Sequence, residues 1–403
     1  MSGPRLVIVS RWFWPVIDDS TLRLQAWVRT LKQLGVQVSL FTALWNHRWP
    51  LKCTFDEVSL QRIGPPPLAA RSSKNYLRGV VDQLILNRSQ YDAIFFERAV
   101  EEAIACCHAK ELSDKTKLLW FDPMDCVDGQ LSLPNTIQDA CRSVDRVLVH
   151  GAAEERLVRS AGILPDRIER LGQVTLPSLS RASSERGRCR TILSHCCGDL
   201  FVPWDGKVIV VPSALQHRPS IEMFLQAVDP LLDRWPNLRV WFIGDGPERG
   251  RIYERIRDMD GARQIALPGC FDCVDDIFQL ADVCMLTTPG EGLGFFAPLA
   301  WENNIPCLLP ACGSSKERVP EMAKWGLFQA GNMPQLRELL GRALEMTTDA
   351  TVRKQRTLEV DDTGHGWYLE RWDAWARFGH NRSAPSGSSV TPQKEPVWKR
   401  WTS

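Results

Sequence analysis

The chain has 403 residues, more than one hydrophobic core usually supports, so two domains are the first expectation. Its 49 Lys and Arg residues nearly balance its 48 Asp and Glu residues, so charge gives no indication of nucleic acid or an anionic membrane as partner. The thirteen cysteines are scattered and odd in number, which argues against a disulfide framework and favours a reducing compartment.

The sequence does not predict a membrane-spanning or a metal-binding protein. The N-terminal apolar run is too short for a signal peptide, and no run reaches the roughly 18 apolar residues that span a bilayer. Cys270 and Cys273 form one C-x-x-C, but no second pair stands at a spacing that completes a zinc site. We therefore expect a cytoplasmic protein without a bound metal.

The first half alternates β-branched runs with amphipathic helices, which is typical of a parallel sheet covered on both faces. The spacing of Leu22, Ala26 and Leu31 predicts a helix that stops at Gly35. Residues 1–175 are thus predicted to form a Rossmann-like domain. The predicted strands are Leu6–Ser10, Val36–Thr42, Ala93–Glu97, Leu118–Phe121 and Val144–His150.

Residues 176–203 are polar and basic and predict a linker, after which the alternation resumes over a second Rossmann-like domain, 204–365. A Trp-rich helix is expected at 366–380 and a disordered Ser/Pro-rich tail at 381–403. Two such halves place a ligand at the carboxyl ends of their strands. The predicted strands of the second half are Lys207–Pro212, Leu238–Gly244, Gln264–Leu267, Val283–Thr287 and Cys307–Pro310.

Three loops of the second half have the composition of ligand loops. Gly244 and Gly246 in "GDGP" permit a tight turn beside a ligand, or simply connect a strand to a helix. Arg218 follows a strand end, where a guanidinium can hold a phosphate, or it is a solvated side chain. In "PGEGLGFFAPLAWENNIP", Gly292 and Gly294 precede a helix of about Phe295 to Glu302, whose free N–H groups can bind an anion.

In this order, GDGP, "LPGCFDCVDDIFQLADVCML", "PGEGLGFFAPLAWENNIP" and "GSSKERV" resemble the donor domain of the group 1 (family four) retaining glycosyltransferases. The first half resembles that family more loosely, in "RWFWPVIDDSTLRLQAWVRTLKQLGVQVSLFTA" and "SVDRVLVHGAAEERLVRSAGILPDRIERLG". The resemblance implies an α/β GT-B architecture, two Rossmann-like domains facing each other across a cleft. It also implies transfer of a sugar from a nucleotide-sugar with retained configuration and without a metal or other cofactor.

The resemblance assigns donor-side roles to several residues. Glu291 matches the first Glu of an E-x7-E motif and would contact the donor sugar, while Gly292 and Gly294 would face the phosphates. Arg218 stands where the family has a phosphate-binding Lys. The base would be bound around Cys270 and Phe271. The remaining donor-side positions are Gly244, Gly246 and Leu293.

Two expected charges are absent, since Ser213 stands where an Arg commonly assists and Leu299 replaces the second Glu of the motif. Glu302 lies three residues past Leu299 on nearly the same helix face, so we hypothesise that it partly recovers the ribose contact. A solvated helix-end Glu is the alternative. Losing a phosphate contact reduces the rate of such a reaction without excluding it.

On the acceptor side, Asp18 and Asp19 replace a glycine pair of the family. Asp122 and Asp125 stand where relatives often place a helpful His, and either could orient an acceptor hydroxyl or serve as a turn or cap residue. The expected partners are a nucleotide-diphosphate sugar and a sugar or lipid-linked acceptor, not nucleic acid.

We therefore predict a hexosyltransferase of surface polysaccharide or glycoconjugate synthesis, cytoplasmic and able to contact the inner face of a membrane. Two alternatives stay open. One is a weak or inactive relative that binds a nucleotide-sugar or a protein. The other is a sugar-nucleotide epimerase on the same scaffold.

Overall fold

The computed structural model describes residues 3–121, 133–149, 151–171, 176–177, 179, 183–288, 292–311, 316 and 319–346. Within these, the chain divides into two units. The first comprises residues 3–13 and 27–171, and the second comprises Trp14–Ala26 together with the described residues from 176 to 346. The predicted helix at 366–380 and tail at 381–403 lie outside the described residues.

The first unit is built on an eight-stranded sheet with the order β3-β4-β2-β1-β5-β6-β7-β8. Its strands are β1 (Arg5–Ser10), β2 (Gln37–Ala43), β3 (Lys52–Phe55), β4 (Val58–Ile63), β5 (Ala93–Glu97), β6 (Thr116–Trp120), β7 (Arg146–Val149) and β8 (Ile168–Arg170). All neighbours run parallel except β3, which is antiparallel to β4. Strands β5 and β6 are buried along their whole length, as expected of a sheet covered on both faces.

Helices fill the connections of this sheet. They are α1 (Asp19–Gln33), α2 (Ala70–Leu86), α3 (Val100–Cys107), α4 (Asn135–Ser143) and α5 (Ala152–Ser160), with 3-10 turns at Arg88–Gln90, Lys110–Leu112 and Pro165–Arg167. The predicted stop of α1 is confirmed, because Gly35 has a φ of 80°, a left-handed conformation that glycine adopts without strain. Tyr76, Val80 and Leu84 of α2 pack into the core of the unit.

The second unit has a six-stranded sheet, parallel throughout, that is also covered by helices. Its strands are β9 (Val208–Pro212), β10 (Arg239–Ile243), β11 (Ile265–Gly269), β12 (Val283–Met285), β13 (Cys307–Pro310) and β14 (Leu327–Phe328), in the order β11-β10-β9-β12-β13-β14. Its helices are α6 (Ser183–Cys196), α7 (Arg218–Arg234), α8 (Arg249–Arg257), α9 (Asp275–Leu280), α10 (Phe296–Glu302) and α11 (Met333–Met346), with 3-10 turns at Gly198–Leu200, Ala262–Gln264 and Glu321–Gly326.

The predicted α/β class with two Rossmann-like parts is confirmed. The structure adds a β3–β4 hairpin that the sequence analysis missed. Its two-residue connection, Asp56 and Glu57, has φ angles of 49° and 60°, a geometry that usually calls for Asn-Gly. Short edge strands β8 and β14 were missed as well.

The stretch 176–203, predicted as a linker, contains the 14-residue helix α6. Its buried residues Arg186, Cys189 and Leu193 follow helical spacing, but one of the three is charged, which hides the apolar period. Arg186 donates to both carboxylate oxygens of Asp282 at 3.2 and 3.3 Å. The helix therefore packs as part of the second unit. Among the described residues, no helix is both long and apolar enough to cross a bilayer.

Candidate functional site

The predicted donor-side residues lie at one edge of the second sheet. Because its strands are parallel, the loops after β10, β9 and β12 emerge side by side at their carboxyl ends. From β9 the chain adds β10 and β11 on one side, and it then adds β12, β13 and β14 on the other side. The order of the strands therefore reverses at the boundary between β9 and β12. Ligands of open α/β sheets bind at such a switch point.

Gly244 and Gly246 serve the packing of two of these loops. A Cβ on Gly244 would lie 1.8 Å from the carbonyl oxygen of Ser213, and one on Gly246 would lie 1.9 Å from that of Ala214. Ser213 is itself buried, and its hydroxyl accepts the N–H of Leu215 at 3.2 Å. The glycines are therefore required for close backbone approach, whether or not a ligand is present.

Arg218 begins α7 and is exposed to solvent. Its Nε donates to the carboxylate of Glu222, one turn along the helix, at 2.6 Å. The guanidinium predicted to hold a phosphate thus forms a surface ion pair, and its Nη groups make no hydrogen bond to the residues that the structure describes.

The loop before α10 binds a carboxylate of the same chain, that of Asp19. The carboxylate of Asp19 accepts the backbone N–H groups of Gly294 and Phe295, each at 2.9 Å, and of Phe296 at 3.2 Å. A Cβ on Gly294 would lie 2.6 Å from Asp19 Oδ2. Asp19, predicted on the acceptor side, therefore engages the donor-side loop, at the N–H groups that we predicted for phosphates.

The electrostatics of Asp19 follow from this position. Burial raises the pKa of Asp19, whereas the three backbone N–H groups and the buried, positively charged Arg23 act in the opposite direction. Its neighbour Asp18 has a different role. Asp18 Oδ1 accepts the N–H of Thr21 at 2.7 Å and so caps the start of α1.

Two hydroxyls at the base of the same loop have no hydrogen-bond partner in the described part of the chain. Thr287 and Thr288 follow β12, and the Oγ1 atom of each is buried and unpaired. A buried hydroxyl without a partner is costly, so these groups are candidates for polar contacts with a ligand.

Leu299 and Glu302 differ in burial although both lie on α10. Leu299 is fully buried in the core, so the position of the second Glu of the motif is occupied by a packing side chain. Glu302 is only half-buried, and burial raises its pKa to about 7. The ribose contact of Glu302 stays a prediction.

Arg249 lies at the same sheet edge, and the sequence analysis assigned it no role. It opens α8, separated from the GDGP turn by one residue, and its Nη2 donates to the carbonyl of Leu267 at 2.5 Å. Its buried Nη1 lies 3.9 Å from the carboxylate of Asp245 and has no hydrogen-bond partner among the described residues. Desolvation and the carboxylates of Asp245 and Asp18 raise the pKa of the Cys270 thiol, while Arg249 acts in the opposite direction. Asp18, Asp245 and Arg249 therefore each lie close enough to Cys270 to influence its thiol.

Three predicted site residues, Glu291, Asp122 and Asp125, lie outside the described residues. The described ones offer backbone N–H groups, a guanidinium and hydroxyls, which suit an oxyanion bearing a hydroxylated group. Within the described ranges no three His, Cys, Asp or Glu side chains group as a metal site.

Comparison with known proteins finds similarity over the part of the chain that contains this edge. Residues 206–345 match the family model described as "Glycosyl transferases group 1". A D-inositol 3-phosphate glycosyltransferase of Corynebacterium urealyticum is 28% identical over 145 residues, which are 34% of this chain and 34% of that protein. Sulfoquinovosyl transferase SQD2 of Arabidopsis thaliana is 22% identical over 171 residues, 38% of this chain and 33% of that protein.

The matched region thus spans about a third of the length of these curated relatives. Among solved structures, the catalytic domain of starch synthase IV from Arabidopsis thaliana, bound to ADP and acarbose, has a TM-score of 0.67 at 12% identity. The similarity covers 94% of this chain and 100% of that one. At this identity the likeness shows the fold, which is that of GT-B glycosyltransferases.

Proposed function

We propose that this chain transfers a sugar from a nucleoside diphosphate sugar to a hydroxyl acceptor, because residues 206–345 match the family model of the group 1 glycosyltransferases. The bond between the anomeric carbon and the diphosphate breaks, and a bond to the acceptor oxygen forms on the same face, with retention. The acceptor proton passes to the departing phosphate oxygen, and no metal or cofactor takes part.

The observation that supports the proposal most is the oxyanion site before α10. The N–H groups of Gly294, Phe295 and Phe296 already bind a carboxylate in the structure, at 2.9 to 3.2 Å. Donors preorganised in this way stabilise negative charge on a departing diphosphate. Half-buried Arg249, whose Nη1 makes no hydrogen bond within the described residues and lies 3.9 Å from the carboxylate of Asp245, adds a positive charge at the same sheet edge.

Individual roles follow the family resemblance. Glu291 would accept hydrogen bonds from the donor sugar, Arg218 would reach the phosphates from its surface ion pair, and Glu302 would approach the ribose. Asp122 or Asp125 would orient the acceptor hydroxyl. The loop of Cys270 and Phe271, after β11, would bind the base.

The acceptor is proposed by likeness to the curated relatives. One of these relatives is named a sulfoquinovosyl transferase and the other a D-inositol 3-phosphate glycosyltransferase. By likeness we propose a sugar or a lipid-linked sugar as acceptor, in surface polysaccharide or glycoconjugate synthesis. A cytoplasmic location, with contact to the inner face of a membrane, is part of the same proposal.

The test is a thermal-shift panel of UDP-, GDP-, ADP- and dTDP-glucose followed by assays of nucleoside diphosphate release. We expect one donor to raise the unfolding temperature and to be turned over. Arg218→Ala should weaken binding of that donor about tenfold, because one charge-assisted phosphate contact is lost. Arg234→Ala is the matched control, since this exposed arginine at the other end of α7 also pairs with a glutamate, Glu345, at 2.9 Å.

A binding module without turnover is the second candidate, and the burial of Leu299 and the occupation of the loop by Asp19 favour it. It predicts that a donor binds but that neither hydrolysis nor transfer occurs. If none of the four donors changes the unfolding temperature, the donor site itself is refuted.

A further inference from the structure

Asp19 has no place in the reaction as proposed. It lies 275 residues from Gly294 in the sequence, yet its carboxylate accepts three consecutive backbone N–H groups of the loop before α10. Oδ1 accepts two of them and Oδ2 accepts one. This is the hydrogen-bonding pattern by which a loop holds a phosphate oxygen.

Both the loop and helix α1 have features that favour the contact between Asp19 and Gly294. Gly294 admits the carboxylate, because any side chain there would have its Cβ 2.6 Å from Oδ2. Asp19 itself stands in the first turn of α1, where a negative charge is favoured by the helix dipole. Arg23, one turn further along, is buried next to the same glycine.

Two anions cannot use these amides together. Each N–H has one proton, and all three are engaged by Asp19 at 3.2 Å or less. A phosphate would also meet the repulsion of a carboxylate placed directly against the loop. A diphosphate at this loop therefore has to displace the side chain of Asp19.

We propose that Asp19 is an internal competitor for the phosphate of the nucleotide, and that it thereby sets the affinity of the site; this inference rests on the proposed function. The observed affinity is the intrinsic affinity reduced by the fraction of molecules in which the amides are free. Asp19 thus determines how much donor is needed to occupy the site.

The opposite role would be that Asp19 positions the loop for its ligand, and substitution separates the two. Asp19→Ala frees the three amides, so we expect nucleoside diphosphates to bind about tenfold tighter or more. Asp19→Asn keeps the shape and one acceptor oxygen but removes the charge, so it should give a smaller gain. A positioning role predicts weaker binding in both variants.

The measurement is titration calorimetry of the full chain with UDP, GDP, ADP, dTDP and inorganic pyrophosphate. Asp145→Ala is the control, because Asp145 is also a partly buried aspartate that accepts a backbone N–H, that of Lys117 at 2.9 Å, in the first unit. Its removal should leave all five affinities unchanged. Stoichiometry and thermal unfolding verify that each variant is folded.

The outcomes separate this inference from the proposed function. A gain of affinity for a nucleotide in Asp19→Ala supports both. A gain for pyrophosphate alone, with no nucleotide bound by any form, supports the competitor and refutes the nucleotide donor. Unchanged or weaker binding of every probe in Asp19→Ala overturns the competitor, whatever the unmodified chain binds.

Discussion

Glu302 shows how one residue can link the predicted site to stability. Desolvation raises its pKa from 4.5 to about 7 in the fold. Between pH 4.5 and about pH 7, the Glu302 carboxyl group therefore keeps its proton in the folded state and loses it in the unfolded state. Stability falls as pH rises through this window and is level above it, because the charged form is disfavoured in the fold.

We expect Glu302→Gln to remove this loss. The variant should be more stable than the unmodified chain by roughly 1 kcal/mol at about pH 8, after discounting for solvent screening, and should show little difference at about pH 5. Urea unfolding at both pH values measures the effect. Glu254→Gln, an exposed helical carboxylate of α8, should change neither curve. An equal effect in both variants would contradict the assignment.

At the scale of an element, α6 is the helix that the sequence analysis took for a linker. It is anchored by Arg186, which donates to Asp282 and to the carbonyl of Leu280 at 3.1 Å. Asp282 also accepts the N–H of Val208, the first residue of β9, at 2.9 Å. The helix is therefore tied to two strands of the second sheet, β9 and β12, by one buried ion pair.

Arg186→Ala leaves the carboxylate of Asp282 buried without its cation. We expect a loss of about 3–5 kcal/mol in the free energy of unfolding, measured by denaturant titration. Arg188→Ala is the matched control on the same helix, because Arg188 is exposed and pairs with Glu185 at 3.0 Å. It should cost less than about 1 kcal/mol. Similar losses in the two variants would refute the anchoring role.

The turn between β10 and α8 gives a second element-scale prediction. Gly246→Ala would place a Cβ 1.9 Å from a backbone oxygen, so the loops have to separate, at a cost of roughly 1–3 kcal/mol. Gly250→Ala lies four residues on in α8, where a Cβ meets nothing within 4 Å. It should stabilise the chain by about 0.5–1 kcal/mol, since Ala favours a helix. Thermal unfolding of the two variants measures the difference, and equal shifts of their unfolding temperatures would contradict the packing argument.

For the whole molecule, regular alternation made the sheets predictable. Ala93–Glu97 and Cys307–Pro310 form strands with the predicted bounds, because buried parallel strands are continuous apolar runs. The β3–β4 hairpin escaped since its turn residues are atypical. The short edge strands β8 and β14 lack an apolar run long enough to recognise.

The site was only partly predictable, and the reason is distance along the chain. The loop glycines and Arg218 were found because their motifs are local. The hydrogen bond from the N–H of Gly294 to Asp19 joins residues that are 275 positions apart, and no local pattern records such a pairing. The burial of Leu299 likewise depends on what packs over α10, which spacing alone does not reveal.

Helix α1 begins in the second unit and ends in the first, so the covalent order of the chain and the borders of its folded bodies do not coincide. In a chimera of the first half of this chain and the second half of a relative, residues Trp14–Ala26 of this chain would have to pack in the second unit of the relative. Substitutions in the first two turns of α1 can therefore alter the second unit, although they lie early in the sequence.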